Sequence, residues 1–357
     1  MVSVAQPCTI EAKLNPRPRR RLSSTPTPQW DAIFQQYLGY SPGGYAYCIG
    51  QNGTLVDSGS WGYARMPQDT SDGQGIPFTV DSRCNLASVS KTVTATAVFK
   101  MVQRGWIKSV NQQFWPFIEA LYPNLQPAPG VKTVTIAELL TMTARLPENG
   151  TLYSSDSADG FVEQYLGSNG VLPRQLYVYS NTNFTILQAM IDSICQQQGL
   201  TDYVSWVQSE ILTPLGIDTS IFSPVPDDPS WATLSYDPSS PEAQGYYWPE
   251  MQCVGPGGWI SSASALLTYL MGFRDNTVLL PEYSDFMMQR MLGWYPGATT
   301  YGLAYHHNGG LTQNVGSLSM GLSTGIIQLP NGYDAVLLSN KPVDDIIGLM
   351  LEAFDAT

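Results

Sequence analysis

The period of the apolar positions changes several times along this chain. Trp30, Ile33, Phe34, Tyr37 and Leu38 recur at helical spacing, which predicts a short amphipathic helix over 30–38. Two runs of β character follow at 44–49 and 54–61, joined by Gln51-Asn52-Gly53, an Asn-Gly hairpin signal. Residues 88–104 then form an almost uncharged stretch whose polar members are mostly Thr, stopped by Gly105. A helix that is apolar nearly all round is a buried one.

Helical periodicity is clearest again at 135–141, 183–198, 202–212 and 262–273, with long loops between. Strand signals return at 301–307, 323–329 and 333–339, the last pair turning at Asn331-Gly332, and 343–354 closes the chain as a helix. Strands at both ends with helices between predict an α+β fold. One antiparallel sheet is built from both termini and flanked by terminal helices, with an inserted mostly helical domain. The boundaries this suggests are an extended N-terminal arm at 1–29, an α/β domain at 30–110 and 291–357, and the inserted helical domain at 111–290. A cleft between the two parts is where a site is expected.

Composition narrows the class. With 43% hydrophobic and 11% aromatic residues, the chain can bury a large core, and disorder is excluded for most of its length. The 32 Gly and 26 Pro imply many turns and long connections rather than a helical bundle. No apolar run approaches the roughly 20 residues a membrane span needs. A net charge of −12 repels phosphates, so nucleic acid is not an expected partner. The one basic cluster, Arg17, Arg19, Arg20 and Arg21, lies in the Pro-rich arm and lacks the apolar stretch an export signal carries after its arginines. Localisation stays open; the composition is compatible with an extracytoplasmic protein.

The two histidines, His306 and His307, are adjacent, and the five cysteines (Cys8, Cys48, Cys84, Cys195, Cys253) show no metal-ligand spacing. No metal and no cofactor are expected. Most of the thiols read as small buried apolar residues.

Two serine signatures compete. Gly39-Tyr40-Ser41-Pro42-Gly43 has the letters of a G-x-S-x-G elbow, but a helix precedes the serine. Pro42, next in the chain, has no N–H to offer an oxyanion. This segment reads as a turn. The other signature is Ser88-Val89-Ser90-Lys91, the only S-x-x-K in the chain. On a helix, positions i and i+3 share a face, about 5–6 Å apart at Cβ, so the amine reaches the hydroxyl. Ser88 falls at the expected helix N-terminus, where free N–H groups and the helix dipole favour developing negative charge. The apolar continuation buries Lys91 and disfavours its ammonium form, leaving an amine able to accept the serine proton. Taken alone, the pattern is also that of an N-cap Ser followed by a surface Lys.

Two further motifs accompany it. Tyr179-Ser180-Asn181 enters an amphipathic helix, where Asn181 or Thr182 could serve simply as a cap. His307-Asn308-Gly309-Gly310 is expected to end a strand, and alone would be an ordinary hairpin turn. Together, in this order and on these elements, the three motifs resemble the serine β-lactamase and penicillin-binding-protein-like superfamily. The resemblance is closest to its class C-like branch of family VIII carboxylesterases, DD-peptidases and D-aminopeptidases. It extends to the segments 86–105, 134–147, 202–217 and 255–270, and covers 30–355.

The resemblance implies a β-lactamase-like fold and a two-step acyl transfer. Ser88 would be the acylated nucleophile, Lys91 its activator, and Tyr179 the proton shuttle. Asn181 would hydrogen-bond Lys91 and the acyl side of the substrate, and His307, Gly309 and Gly310 would form the substrate-binding strand. The backbone N–H groups of Ser88 and Gly310 would make the oxyanion hole.

His307 stands where many relatives have a Lys that attracts a substrate carboxylate. A neutral imidazole supplies much less positive charge, and no Lys or Arg occurs between Arg290 and Lys341. One buried lysine, little other positive charge and a neutral small-molecule ester or amide substrate are therefore expected. The resulting expectation is a carboxylesterase acting on small or medium uncharged acyl esters. A β-lactamase or DD-peptidase/D-aminopeptidase is the alternative, and a non-catalytic scaffold a second one. Tyr246-Tyr247-Trp248, Trp259 and Trp294 are candidates for an aromatic wall, although aromatics in a body of this size more often belong to the core.

Overall fold

The computed structural model describes residues 26, 28–147, 158–172, 177–224, 231–248, 251 and 253–356. Helix α1 (Trp30–Leu38) buries Trp30, Phe34 and Leu38 at four-residue spacing. Strands β1 (Gly44–Gln51) and β2 (Thr54–Arg65) form the expected hairpin. Asn52 and Gly53 at its tip have φ of 51° and 77°, the left-handed pair a type I′ turn requires. Strand β3 (Ile76–Pro77) edges β2, and β4 (Cys84–Asn85) pairs separately with β5 (Ile260–Ser261).

The middle of the chain is helical: α2 (Ser90–Gln103), α3 (Trp115–Ile118), α4 (Ile136–Leu140), α5 (Ala158–Ser168), α6 (Asn181–Gln197), α7 (Tyr203–Val207), α8 (Val254–Gly257), α9 (Ala263–Arg274) and α10 (Pro281–Gln289). Strands β6 (Tyr295–Thr299), β7 (Gly302–Val315), β8 (Leu318–Gln328) and β9 (Tyr333–Ser339) and helix α11 (Ile346–Asp355) complete it.

The main sheet has seven antiparallel strands in the order β3-β2-β1-β9-β8-β7-β6. Its centre is the pairing of β1 with β9, from Tyr45↔Ser339 to Gln51↔Tyr333, so both ends of the chain do build one sheet. Alternation along β1 turns Tyr45, Tyr47 and Ile49 to one face, where α1 and α11 cover them with Phe34, Met350 and Phe354. Phe34 meets Tyr47 edge-on at 5.1 Å. Ala46 and Cys48 turn to the other face and join a core continuous with the helices. Helix α9 lies directly on that face: a Cβ on Gly50 would come within 2.5 Å of the Met271 sulfur. Arg274 on α9 binds the buried Asp334 of β9 at 2.9 Å.

Helix α2 runs through the middle of this core and is buried from Ser90 to Phe99. Its threonines are tolerated there because each hydroxyl has a partner. Thr92 and Thr96 donate to carbonyls of their own helix turn, while Thr94 donates to Gly255 O at 2.8 Å and meets Tyr203 OH at 2.7 Å.

Several expectations need correction. The α-helix starts at Ser90, because Ala87–Val89 form a 3-10 turn ahead of it. His307 does not end a strand: β7 continues to Val315, held in register by β8 through Gly309↔Thr324 and Gly310↔Ser323. Strand β6 carried no signal in the sequence, and α11 begins at Ile346, capped by Asp345 on Gly348 N. Among the described residues a second lysine, Lys341, is buried besides Lys91, away from Ser88. Lys341 donates to the carbonyls of Leu38 and Tyr40, closing the open end of α1. Cys48, Cys84 and Cys195 are buried free thiols, and Cys253 is buried as well. Apart from Pro26, Pro28 and Gln29, the arm expected at 1–29 lies outside the described residues. Among the described residues no helix is long and apolar enough to cross a membrane.

One buried side chain ties the sheet centre to its neighbours. Asn340, fully buried, accepts from Gly44 N at 2.7 Å and donates to Tyr63 O at 3.0 Å. Asn340→Ala leaves the buried Gly44 N and the part-buried Tyr63 O without that partner. It is expected to lower the unfolding free energy by roughly 2–4 kcal/mol, measured by urea denaturation.

Candidate active site

The turn before α2 carries the first candidate residue. Ala87 has φ of 47°, a left-handed conformation that costs an L-residue on the order of 1 kcal/mol. Three hydrogen bonds hold it. Asn85 Oδ1 accepts from Ala87 N at 2.7 Å, Thr324 Oγ1 donates to Leu86 O at 2.8 Å, and Leu86 N donates to Trp259 O at 2.8 Å. The turn lifts Ser88 to the surface of the core, partly exposed, while Lys91, three residues on, is fully buried.

Lys91 Nζ lies 2.9 Å from Ser88 Oγ, 2.8 Å from Asn181 Oδ1 and 2.6 Å from Pro256 O. The last two oxygens can only accept, so they take two N–H bonds of the lysine in either protonation state. The third direction faces Ser88 Oγ. An ammonium donates along it; a neutral amine presents its lone pair to the serine O–H. The two states differ by one proton moved along a hydrogen bond already in place. Removing the lysine from water disfavours the charged form.

Asn181 is the first residue of α6, and its side chain does not cap that helix. Ser180 occupies the cap position and makes no side-chain cap bond, which leaves Asn181 turned to Lys91. Tyr179 closes the group from the solvent side. Its hydroxyl lies 2.6 Å from Ser88 Oγ and Lys91 Nζ is 5.1 Å from its ring centroid, yet the residue remains 40% exposed. A proton on Ser88, Lys91 or Tyr179 thus has a short path towards bulk water.

Strand β7 forms the opposite wall. Beyond the Tyr295↔His306 pair it has no partner on the side away from β8 among the described residues, so its edge is open towards Ser88. Gly309 is where it touches the serine turn. A Cβ there would lie 2.4 Å from Leu86 O, 2.5 Å from Thr324 Oγ1 and 2.9 Å from Ser88 N. Gly309 is thus required by close packing rather than by a turn. His307, buried, has Nδ1 2.7 Å from Asn308 O; a carbonyl can only accept, so Nδ1 carries the proton. Burial first, then the charge of Lys91, drives its pKa down to about 3, so the imidazole is neutral near pH 7.

A cavity of about 670 Å³ opens beside these groups. It is lined by Ser88, Tyr177, Tyr179, Tyr295, Pro296 and the open edge of β7 as far as Gly310. Its described lining holds no Lys and no Arg. Arg290 instead stacks its guanidinium 5.9 Å from the Phe286 ring. Among the described residues no group of three or more His, Cys, Asp or Glu could hold a metal ion.

The structure thus brings Ser88, Lys91, Tyr179, Asn181, His307, Gly309 and Gly310 together around one opening. It does not build the wall from the aromatics singled out in the sequence. Trp259 is in the core, its Nε1 donating to Tyr203 OH at 2.8 Å, and Trp294 packs on Phe273. Trp248 is buried, with Tyr246 against it. Sequence reasoning missed Tyr177, Tyr295 and the supports Asn85, Thr324 and Pro256. Only Asn85 carried a local signal: an Asn two residues before a strained position is the pattern of an Asx turn.

The sequence model of the family described as Beta-lactamase matches residues 30–345. Among solved structures, the chain is similar to FmtA from Staphylococcus aureus, at 17% identity over 91% of this chain and 86% of that one, with a TM-score of 0.71. The penicillin binding protein from Bacillus halodurans matches at 17% identity over 91% and 98%, TM-score 0.69. A D-stereospecific amidohydrolase from Streptomyces sp. matches at 18% identity over 91% and 98%, TM-score 0.67. At these identities the likeness is one of fold. No curated protein sequence matches.

Two expectations follow from this geometry. In Gly309→Ala the new methyl meets backbone that cannot yield, so the Ser88 turn must shift. The rate of Ser88 labelling by a fluorophosphonate should fall roughly 10²-fold while thermal unfolding stays cooperative. The second concerns pH. The folded pKa of His307 is about 3 against an ordinary 6.5, so its neutral form stabilises the fold fully above pH 6.5. That stability drains as pH falls from 6.5 towards 3. In urea titrations between pH 7 and 4, His307→Asn should lessen the acid-induced loss.

Proposed function

The chain belongs to the Beta-lactamase family of serine hydrolases, and from that premise we propose that it is a carboxylesterase cleaving small or medium uncharged acyl esters through an acyl-enzyme on Ser88. The observation that carries the chemistry is the Ser88–Lys91–Asn181–Pro256 group, in which one proton can pass from Oγ to Nζ with no rearrangement.

The reaction begins as Ser88 Oγ bonds to the ester carbonyl carbon and its proton moves to Lys91 Nζ. The carbonyl π electrons go to the oxygen, which sits between the N–H groups of Ser88 and Gly310. Collapse re-forms the carbonyl and breaks the bond to the alcohol oxygen. The departing alkoxide takes a proton through Tyr179, the one Lys91 had received. Water then adds to the acyl carbon, giving its proton to the same relay. The acid leaves as Ser88 Oγ recovers a proton.

Substrate class rests on charge. A substrate carboxylate needs a cation, and the cavity lining offers a neutral His307 with no Lys or Arg among its described residues. An uncharged ester meets no such requirement. Its carbonyl needs only N–H donors, and its apolar part finds tyrosine and proline walls.

Intact mass after treatment with a fluorophosphonate and with a penicillin tests the reading. A fluorophosphonate adduct absent in Ser88→Ala is expected. Lys91→Ala should lower kcat/KM for p-nitrophenyl butyrate by roughly 10²- to 10⁴-fold. Faster turnover of a chromogenic cephalosporin or a D-Ala-D-Ala peptide than of p-nitrophenyl butyrate would replace the esterase with a β-lactamase or D-peptidase. No adduct with either probe would mark a non-catalytic scaffold.

A further inference from the structure

The cavity beside Ser88 has an unusual wall. Tyr177 and Tyr179 are alternate residues of a segment pinned by Val178 N to Met142 O at 2.9 Å, and both line the opening. Across from them, Tyr295 stands at the start of β6 with its ring 5.1 Å from that of His307. The hydroxyls of Tyr177 and Tyr295 meet at 3.1 Å, bridging a segment that leads into the helices and a strand of the sheet. Pro296 continues the same surface.

We infer that this tyrosine clamp selects esters that carry an aromatic ring, with Tyr295 and Tyr177 as the specificity-determining residues. The inference rests on the esterase reading and adds the substrate class to it. Aromatic rings favour one another in offset or edge-on contact beyond the area they bury. Tyr177 is 52% exposed and lines the cavity, which puts its side chain within reach of a ligand. The hydroxyl pair adds a polar mark. In any O–H···O–H pair one hydrogen is consumed, and the acceptor hydroxyl keeps its own hydrogen to donate. Both hydroxyls belong to residues of the cavity lining, so the clamp can donate to a ring oxygen such as a phenol or methoxy group. A carboxylate on the ring gains nothing here, since no cation faces it among the described lining residues.

The test compares esters closely similar in size, with the same acyl group in the first pair and the same leaving alcohol in the second. Benzyl butyrate is set against cyclohexylmethyl butyrate for a ring on the alcohol side, and ethyl phenylacetate against ethyl cyclohexylacetate for a ring on the acyl side. In one of the two pairs the aromatic ester should have the higher kcat/KM, by roughly 3- to 10-fold. Tyr295→Leu and Tyr177→Leu should bring that ratio towards one. Tyr295→Phe and Tyr177→Phe keep the rings: they should retain the ratio and lose the added preference for a 4-methoxy substituent. A ratio of one or below in both pairs for the unaltered protein overturns the inference, whatever the variants do. So does a ratio that the two Leu variants leave unchanged. In either case a fluorophosphonate adduct on Ser88 with hydrolysis of p-nitrophenyl butyrate leaves the esterase reading standing. If no ester is cleaved and no adduct forms, the esterase reading fails and takes the inference with it.

Discussion

The arrangement depends on where one lysine nitrogen is held. Lys91 sits on a helix buried in the middle of the core, and its Nζ is fixed by Asn181 Oδ1 from α6 and by Pro256 O from α8. Those two acceptors leave one direction, and that direction contains Ser88 Oγ. An amine on a surface helix would be hydrated, mobile and charged. Here burial removes hydration, and the two fixed oxygens keep the amine aligned in both protonation states. The many hydroxyls of α2 serve the same end: a helix this deep can carry Thr92, Thr94 and Thr96 only because each has an acceptor nearby.

The serine side is held with comparable firmness at some local cost. Ala87 is in a conformation an L-residue avoids, and Asn85, Thr324 and Trp259 each contribute a hydrogen bond that keeps it there. Gly309 completes the clamp from β7 by letting the strand lie against Leu86 O and Ser88 N. The serine turn is thus fixed by three separate parts of the chain, and the open edge of β7 is brought beside it by the same contact.

Charge scarcity takes a local meaning in the cavity. The chain is only 13% charged, and the strand beside Ser88 presents His307, whose burial keeps the imidazole neutral. The second buried lysine, Lys341, lies at the C-terminal end of α1 with two backbone carbonyls as its acceptors, so it brings no cation to the described lining of the cavity. Tyrosines occupy the wall instead, which suits neutral and flat ligands.

Much of this was legible in the residues themselves. Periodicity placed α1, the β1–β2 hairpin, α2 and β9, because each answers to a local rule: one buried face per turn, a left-handed Asn-Gly pair, an apolar run closed by Gly105. The S-x-x-K spacing put Ser88 and Lys91 in reach of each other, since three residues on a helical path fix that distance wherever the helix lies. The sequence could not reveal what arrives from elsewhere in the chain. Asn181 read equally well as a cap, Gly309 as a turn and Trp294 as a cavity wall. Tyr177 and Tyr295, 118 residues apart, touch only where the segment before α6 and strand β6 are packed together. Local spacing determines which side chains share a face; only the packing of distant segments decides which faces meet, because those contacts are set by the core as a whole and not by any residue's neighbours.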